Sequence, residues 1–182
     1  TVTHFTEESD FEMPDQQRHS FFENLERSKK ISRDLLEQEP GNLDARFFLG
    51  SALGIEASFE ITVRHDKVAA FKKGKRSFEI HREIIKEDPD YYSAYLTVGM
   101  YEYITDNLPW YVKWLAVLAG YSGDEERGFD YLRRAAENST FSDDNARILL
   151  MVLYVREERY SDALRLAAGG QASPGQWSRQ WR

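Results

Sequence analysis

The chain has 182 residues, 41% of them hydrophobic and 14% aromatic, and its formal net charge is −7. That apolar share excludes a disordered chain, and the length suffices for one domain or one short helical array with a buried core. Without Cys there is no disulfide or thiolate chemistry, and the acidic balance argues against nucleic acid as a partner.

Residues 1–15 carry Glu7, Glu8, Asp10, Glu12 and Asp15 with no Lys or Arg, which reads as an acidic flexible arm. The spacing of Phe21, Phe22, Leu25, Ile31, Leu35 and Leu36 predicts a helix from about Asp15 to Glu39. A second helix, from about Leu43 to Arg64, is apolar nearly all round, as expected of one packed on several sides. A third, about Asp66 to Glu87, bears Val68, Phe71, Phe78 and Ile85. Gly74 interrupts its stripe, which a close neighbouring helix would explain. The second and third helices make a long antiparallel hairpin.

Helix four spans about Tyr91 to Thr105 and is broken by Asn107-Leu108-Pro109. Trp110 to Ala119 reads as a short apolar helix closed by Gly120-Tyr121-Ser122-Gly123. Asp124-Glu125-Glu126 supplies a cap and first-turn acids for a helix carrying Phe129, Leu132, Ala135 and Ala136. Ser142-Asp143-Asp144 starts the next, and Tyr160 to Ala168 carries the last. Residues 169–182 lack any period and read as a loose tail, leaving 16–168 as the helical domain.

Within this succession fifteen residues recur at an offset of 49. Leu36 to Gly50 lies over Ile85 to Gly99, with Pro40/Pro89, Ala45/Ala94 and Gly50/Gly99 identical. Each copy describes a helix ending in acids, a Pro, and a new helix with a small Ala and then a Gly. Self-similarity over tens of residues marks a stacked helical array.

These residues resemble the tetratricopeptide (TPR) family of helical hairpin repeats. Leu49-Gly50 and Val98-Gly99 resemble the family's Leu-Gly pair, and Pro40 and Pro89 resemble the Pro that closes a repeat. Leu150, Met151, Tyr154, Tyr160 and Ala163 resemble the pattern of one whole unit. The resemblance implies an all-α fold, a right-handed superhelix of antiparallel hairpins with about eight helices. It also implies close helix approach at Gly50 and Gly99. The offsets of 49 and then 52 (Ala94 to Ala146) exceed the family's period of about 34, which implies lengthened hairpins.

The function implied is non-enzymatic protein or peptide binding. The alternative is a structural subunit that self-associates through the same apolar surface, so a homo-oligomer stays open. The inner helix face would present Phe47, Ser51, Leu96, Met100, Tyr103, Ile148 and Val152. This apolar lining argues against the Lys/Asn/Arg clamp that chaperone-binding members of the family place on a peptide's terminal carboxylate. Trp110 and Trp114 mark a further segment, readable as core, as a partner site or as an interfacial anchor. Its apolar run is too short to cross a bilayer.

Catalytic patterns are missing where they can be checked. His4, His19, His65 and His81 form neither H-E-x-x-H nor E-x-x-H, and there is no phosphate loop, dinucleotide glycine motif or G-x-S-x-G. No catalytic residue, metal or cofactor is therefore expected. Glu56 and Glu60 stand one turn apart, but Arg64 follows at the next i+4 step, so a helix-face ion pair is the expectation. Arg64 to Arg76 holds six Lys/Arg and one Asp, giving +5 against −12 for the remainder, and reads as a solvated basic face.

Overall fold

The computed structural model describes residues 15–108 and 122–171, with side chains over 16–108 and 122–168. Seven α-helices occur among them: α1 Asp15–Gln38, α2 Leu43–Thr62, α3 Lys67–Glu87, α4 Tyr95–Asp106, α5 Glu125–Asn138, α6 Asp143–Arg156 and α7 Tyr160–Gln171. Helices adjacent in sequence pack on one another, as at α1/α2, α4/α5, α5/α6 and α6/α7. The protein is all-α. The expected Trp110 helix, the acidic arm up to Pro14 and the tail beyond Gln171 lie outside the described residues. The last helix runs three residues past its expected end at Ala168.

The repeated segment is structural. The Glu39 amide donates to the Leu35 carbonyl and the Asn42 amide to that of Glu39. Forty-nine residues on, Asp88 donates to Ile84 and Tyr91 to Asp88. The aligned alanines Ala45, Ala94 and Ala146 are all buried, because each is the small residue where a new helix meets its neighbour. The copies part after the turn. Asn42 caps α2 through its side chain, which accepts from the Ala45 amide at 2.9 Å. The second copy has no side-chain cap and enters α4 through a 3₁₀ turn, Tyr92–Ala94.

Packing divides the chain into two units, between Ser77 and Phe78, inside α3. In the first unit α2 and α3 form the expected antiparallel hairpin. Ser77 Oγ donates to the Gly50 carbonyl at 2.7 Å, and further along Lys73 reaches Glu60. The reversal rests on His65, whose φ of 55° is left-handed, and on Asp66, whose carboxylate accepts from the Val68 and Ala69 amides. Phe21 and Phe22 of α1 pack on Phe59 of α2, stacked at 5.7 Å and edge-on at 4.7 Å. The second helix does not bury all its apolar residues: Phe48, Ile55 and Ile61 remain exposed.

The second unit is built on an aromatic and aliphatic core of Tyr95, Tyr103, Phe129, Leu132, Leu150 and Tyr154. The Phe129 and Tyr154 rings stack with 5.2 Å between centroids, and the Arg159 guanidinium lies over both. At the α4/α5 crossing two glycines face each other. A Cβ on Gly99 would stand 2.9 Å from the Gly128 carbonyl oxygen, and one on Gly128 would stand 2.9 Å from that of Gly99. This is the close approach expected at Gly99. Gly50 is also buried.

Candidate partner-binding surface

The surface is set by how α4 and α6 are held. Ser142 stands at the N-cap position of α6, but its side chain makes no capping bond and donates instead to the Ser93 carbonyl at 2.8 Å. Ser139 joins them, 3.0 Å from Ser93 Oγ and 2.9 Å from Ser142 Oγ, so the N-terminal ends of α4 and α6 are tied by three hydroxyls. At the other ends the Tyr103 hydroxyl donates to the Glu157 carboxylate. Burial, then that hydrogen bond, pushes the Tyr103 phenol up to about 12. Joined start to start and end to end, α4 and α6 run parallel, and both pack on α5, which returns between them in sequence.

Each of the two helices turns one stripe to α5 and the opposite stripe to solvent. On α4 the buried side is Tyr95, Val98, Gly99, Glu102 and Tyr103. Away from it lie Met100, 36% exposed, and Ile104, 50% exposed, in i+4 continuation of Leu96, which is half-buried against the core. On α6 Ala146, Leu150, Leu153 and Tyr154 are buried, while Ile148, Val152 and Val155 are 57%, 59% and 54% exposed. Two aliphatic stripes thus stand in water on parallel helices. Half-exposed aliphatic residues are ordinary when scattered; a continuous set is not.

Of the residues expected on the inner face, Leu96, Met100, Ile148 and Val152 belong to these stripes. Tyr103 is 2% exposed and Phe47 is buried, so both are core side chains, and Ser51 is half-buried. Phe47 and Ser51 belong to the first unit, the others to the second. Trp110 and Trp114 lie outside the described residues. Ile104 and Val155 were not singled out from the sequence, although Ile104 continues the four-residue step of Leu96 and Met100.

The Glu56/Glu60 pair is more than the expected surface pair. Both carboxylates are buried. Glu56 bonds the buried Lys29 of α1 and lies 3.4 Å from Lys73 of α3, and Glu60 accepts from Lys73 at 2.7 Å and from Arg64 at 3.2 Å. The hydrogen bond from Lys73 holds the Glu60 carboxyl below its ordinary range, and the same bond raises Lys73. Burial pulls Lys29 down, but its bonds to Glu26 and Glu56 outweigh this and its pKa is raised. Among the described residues no cluster of three or more His, Asp or Glu could hold a metal ion, and no helix is long and apolar enough to cross a membrane.

Comparison with protein-family models, with curated proteins and with solved structures returns no match.

Proposed function

We propose that this chain is a non-enzymatic scaffold of tetratricopeptide type, which binds an apolar protein or peptide segment along α4 and α6. The observation that carries the reading is the pair of aliphatic stripes, exposed at Met100 and Ile104 on one helix and at Ile148, Val152 and Val155 on its parallel neighbour. In stacked hairpins the first helix of each unit lines a concave face and the second lies behind it. Here α4 and α6 take the first role, α5 and α7 the second, and the successive hairpins would wind right-handedly as in that family. The structural hydrogen bonds repeated at an offset of 49, and the three buried alanines, support the same reading. Met100 suits a surface that accepts varied apolar shapes, because its side chain is flexible and polarisable.

The test is a selection of peptides on the full chain from a displayed random library, followed by calorimetry on the recovered sequences. Met100→Glu and Val152→Glu should each weaken binding by about tenfold or more, a loss of at least about 1.4 kcal/mol, with the melting temperature nearly unchanged. A fall of several degrees would mean that the stripes are packed, and unchanged affinity would mean that peptides bind elsewhere. The alternative, a self-associating structural subunit, predicts that the mass by sedimentation equilibrium rises with concentration and that the same substitutions abolish the rise.

A further inference from the structure

The end of the α2–α3 hairpin carries a second unusual surface, remote in chemistry from the aliphatic stripes. Beside the reversal at Val63 to Asp66, three large apolar side chains stand in water: Ile61 at 51% exposure, Val68 at 64% and Phe71 at 60%. Around them is the cationic segment whose charge is +5 in a chain of −7. The six cations are not alike, and Lys75, half-buried, and Arg76 have interactions of their own. Lys73 and Arg64 reach back to Glu60, and the Arg64 guanidinium also covers the Phe22 and Phe59 rings at 5.3 and 5.5 Å. Lys67 and Lys72 are exposed, and among the described residues neither forms an ion pair.

The order around the helix decides what this surface suits. At about 100° per residue, Lys67, Phe71, Lys75, Val68, Lys72 and Arg76 follow one another across one half of α3. The other half is occupied: Ala70 and Ser77 are buried, and Gly74 faces Ala57 of α2. Cationic and apolar side chains therefore alternate across the open half and do not separate into a centre and a rim. A protein interface gathers its apolar residues at the centre and is depleted in Lys. Nucleic acid would use the cations, but it offers nothing to cover Val68 and Ile61, and Phe71 alone makes no stacking platform. A lipid headgroup layer accepts both kinds at once. Apolar tips enter about 5–10 Å to the acyl boundary, while each Lys lays its stem alongside and keeps its ammonium at the phosphates.

We infer that the α2–α3 hairpin end is an interfacial membrane-docking site selective for anionic lipid, with Phe71, Val68 and Ile61 inserting and Lys67 and Lys72 contacting headgroup phosphates. A patch of this size gives weak, reversible attachment. Acidic groups farther from the bilayer than a Debye length of about 8 Å at physiological salt are screened and do not oppose this contact.

The test is co-sedimentation of the full chain with vesicles of pure phosphatidylcholine and of phosphatidylcholine containing phosphatidylglycerol. The chain should bind the second and not the first, and added salt should release it. Phe71→Ser and the pair Lys67→Glu/Lys72→Glu should each lower the partition coefficient by about tenfold, with the far-ultraviolet dichroism and melting temperature of the parent, since all three side chains are exposed. No binding to anionic vesicles overturns the proposal, as does equal binding to both lipids or binding that survives both variants. Competition by a polyanion such as heparin that is independent of Phe71 would mark the surface as a plain cationic patch and would also overturn it. Loss of vesicle binding leaves peptide binding by α4 and α6 untouched, so the two readings fail separately.

Discussion

Gly74 and Gly123 show how differently one residue type can be used within the same chain. The Gly74 interruption of the α3 stripe predicts a close neighbour, and Ala57 is indeed opposite, but at 3.7 Å from the position of an added Cβ, an ordinary van der Waals distance. There is room for a methyl group. A helical Gly costs up to about 1 kcal/mol relative to Ala, so Gly74→Ala should raise stability by about 0.5–1 kcal/mol. Gly123 is the opposite case. A Cβ there would fall 2.3 Å from the Asp106 amide nitrogen and 2.4 Å from the Glu102 carbonyl oxygen, and backbone cannot yield as a side chain can. Gly123→Ala should therefore destabilise. Thermal melts of the two variants check both signs, and a destabilised Gly74→Ala would show that α2 and α3 lie closer than 3.7 Å implies.

Among elements, the hairpin of α2 and α3 with α1 across it is held as much by charge as by apolar packing. Lys29 sits where an apolar residue is expected, since Leu25, Lys29, Ser32 and Leu36 follow one helical stripe and the first three are buried. Removing one partner of a buried pair typically costs about 3–5 kcal/mol, whereas replacing both by apolar groups is often neutral. Lys73 remains 3.4 Å from Glu56, so Lys29→Met should fall at the low end, about 3 kcal/mol. The double change Lys29→Met/Glu56→Met should recover most of that loss, because it leaves no uncompensated carboxylate and keeps Lys73 on Glu60. Denaturant unfolding of the two variants checks this, and a double variant as unstable as the single one would show that the network is not what couples the three helices. The boundaries of α1, α2 and α3 were legible within two residues, because Pro40, Asn42 and Asp66 act locally. The pairing of Lys29 with Glu56 was not legible, since it joins residues 27 apart through tertiary packing; its only trace is a Lys on an apolar stripe. The serine tie is similar: Ser142 looks like a cap in its own neighbourhood, and only the fold brings it to Ser93.

Over the whole chain, the repeat was legible and its consequences were partly so. The buried alanines and Gly99 stand where the aligned copies imply. Tyr103, in contrast, is core although its helix position suggested a surface anchor, because α6 runs alongside and Glu157 takes its hydroxyl. The two units also differ in what their interiors are made of, and this separates them in acid. The first is crossed by Lys29, Glu56, Glu60 and Lys73. The second is filled by Phe129, Leu132, Leu150 and Tyr154, and its buried carboxylate, Glu102, lies outside that cluster and pairs with Arg127 at 2.7 Å. Hydrogen bonds from Lys73 and Lys29, respectively, hold Glu60 and Glu26 below their ordinary value of 4.5. Depressed carboxylates contribute stability that is complete above that ordinary value and is lost as pH falls through the lower folded values. Protonating Glu60 also leaves Lys73 partly buried with a weakened partner. Amide hydrogen exchange, expressed as protection factors so that intrinsic rates cancel, should therefore show α1 and α2 losing protection before α5 and α6 as pH is lowered from neutral to below 4.5. Uniform loss, or earlier loss in α5, would mean that the buried charges do not govern the acid response of the first unit.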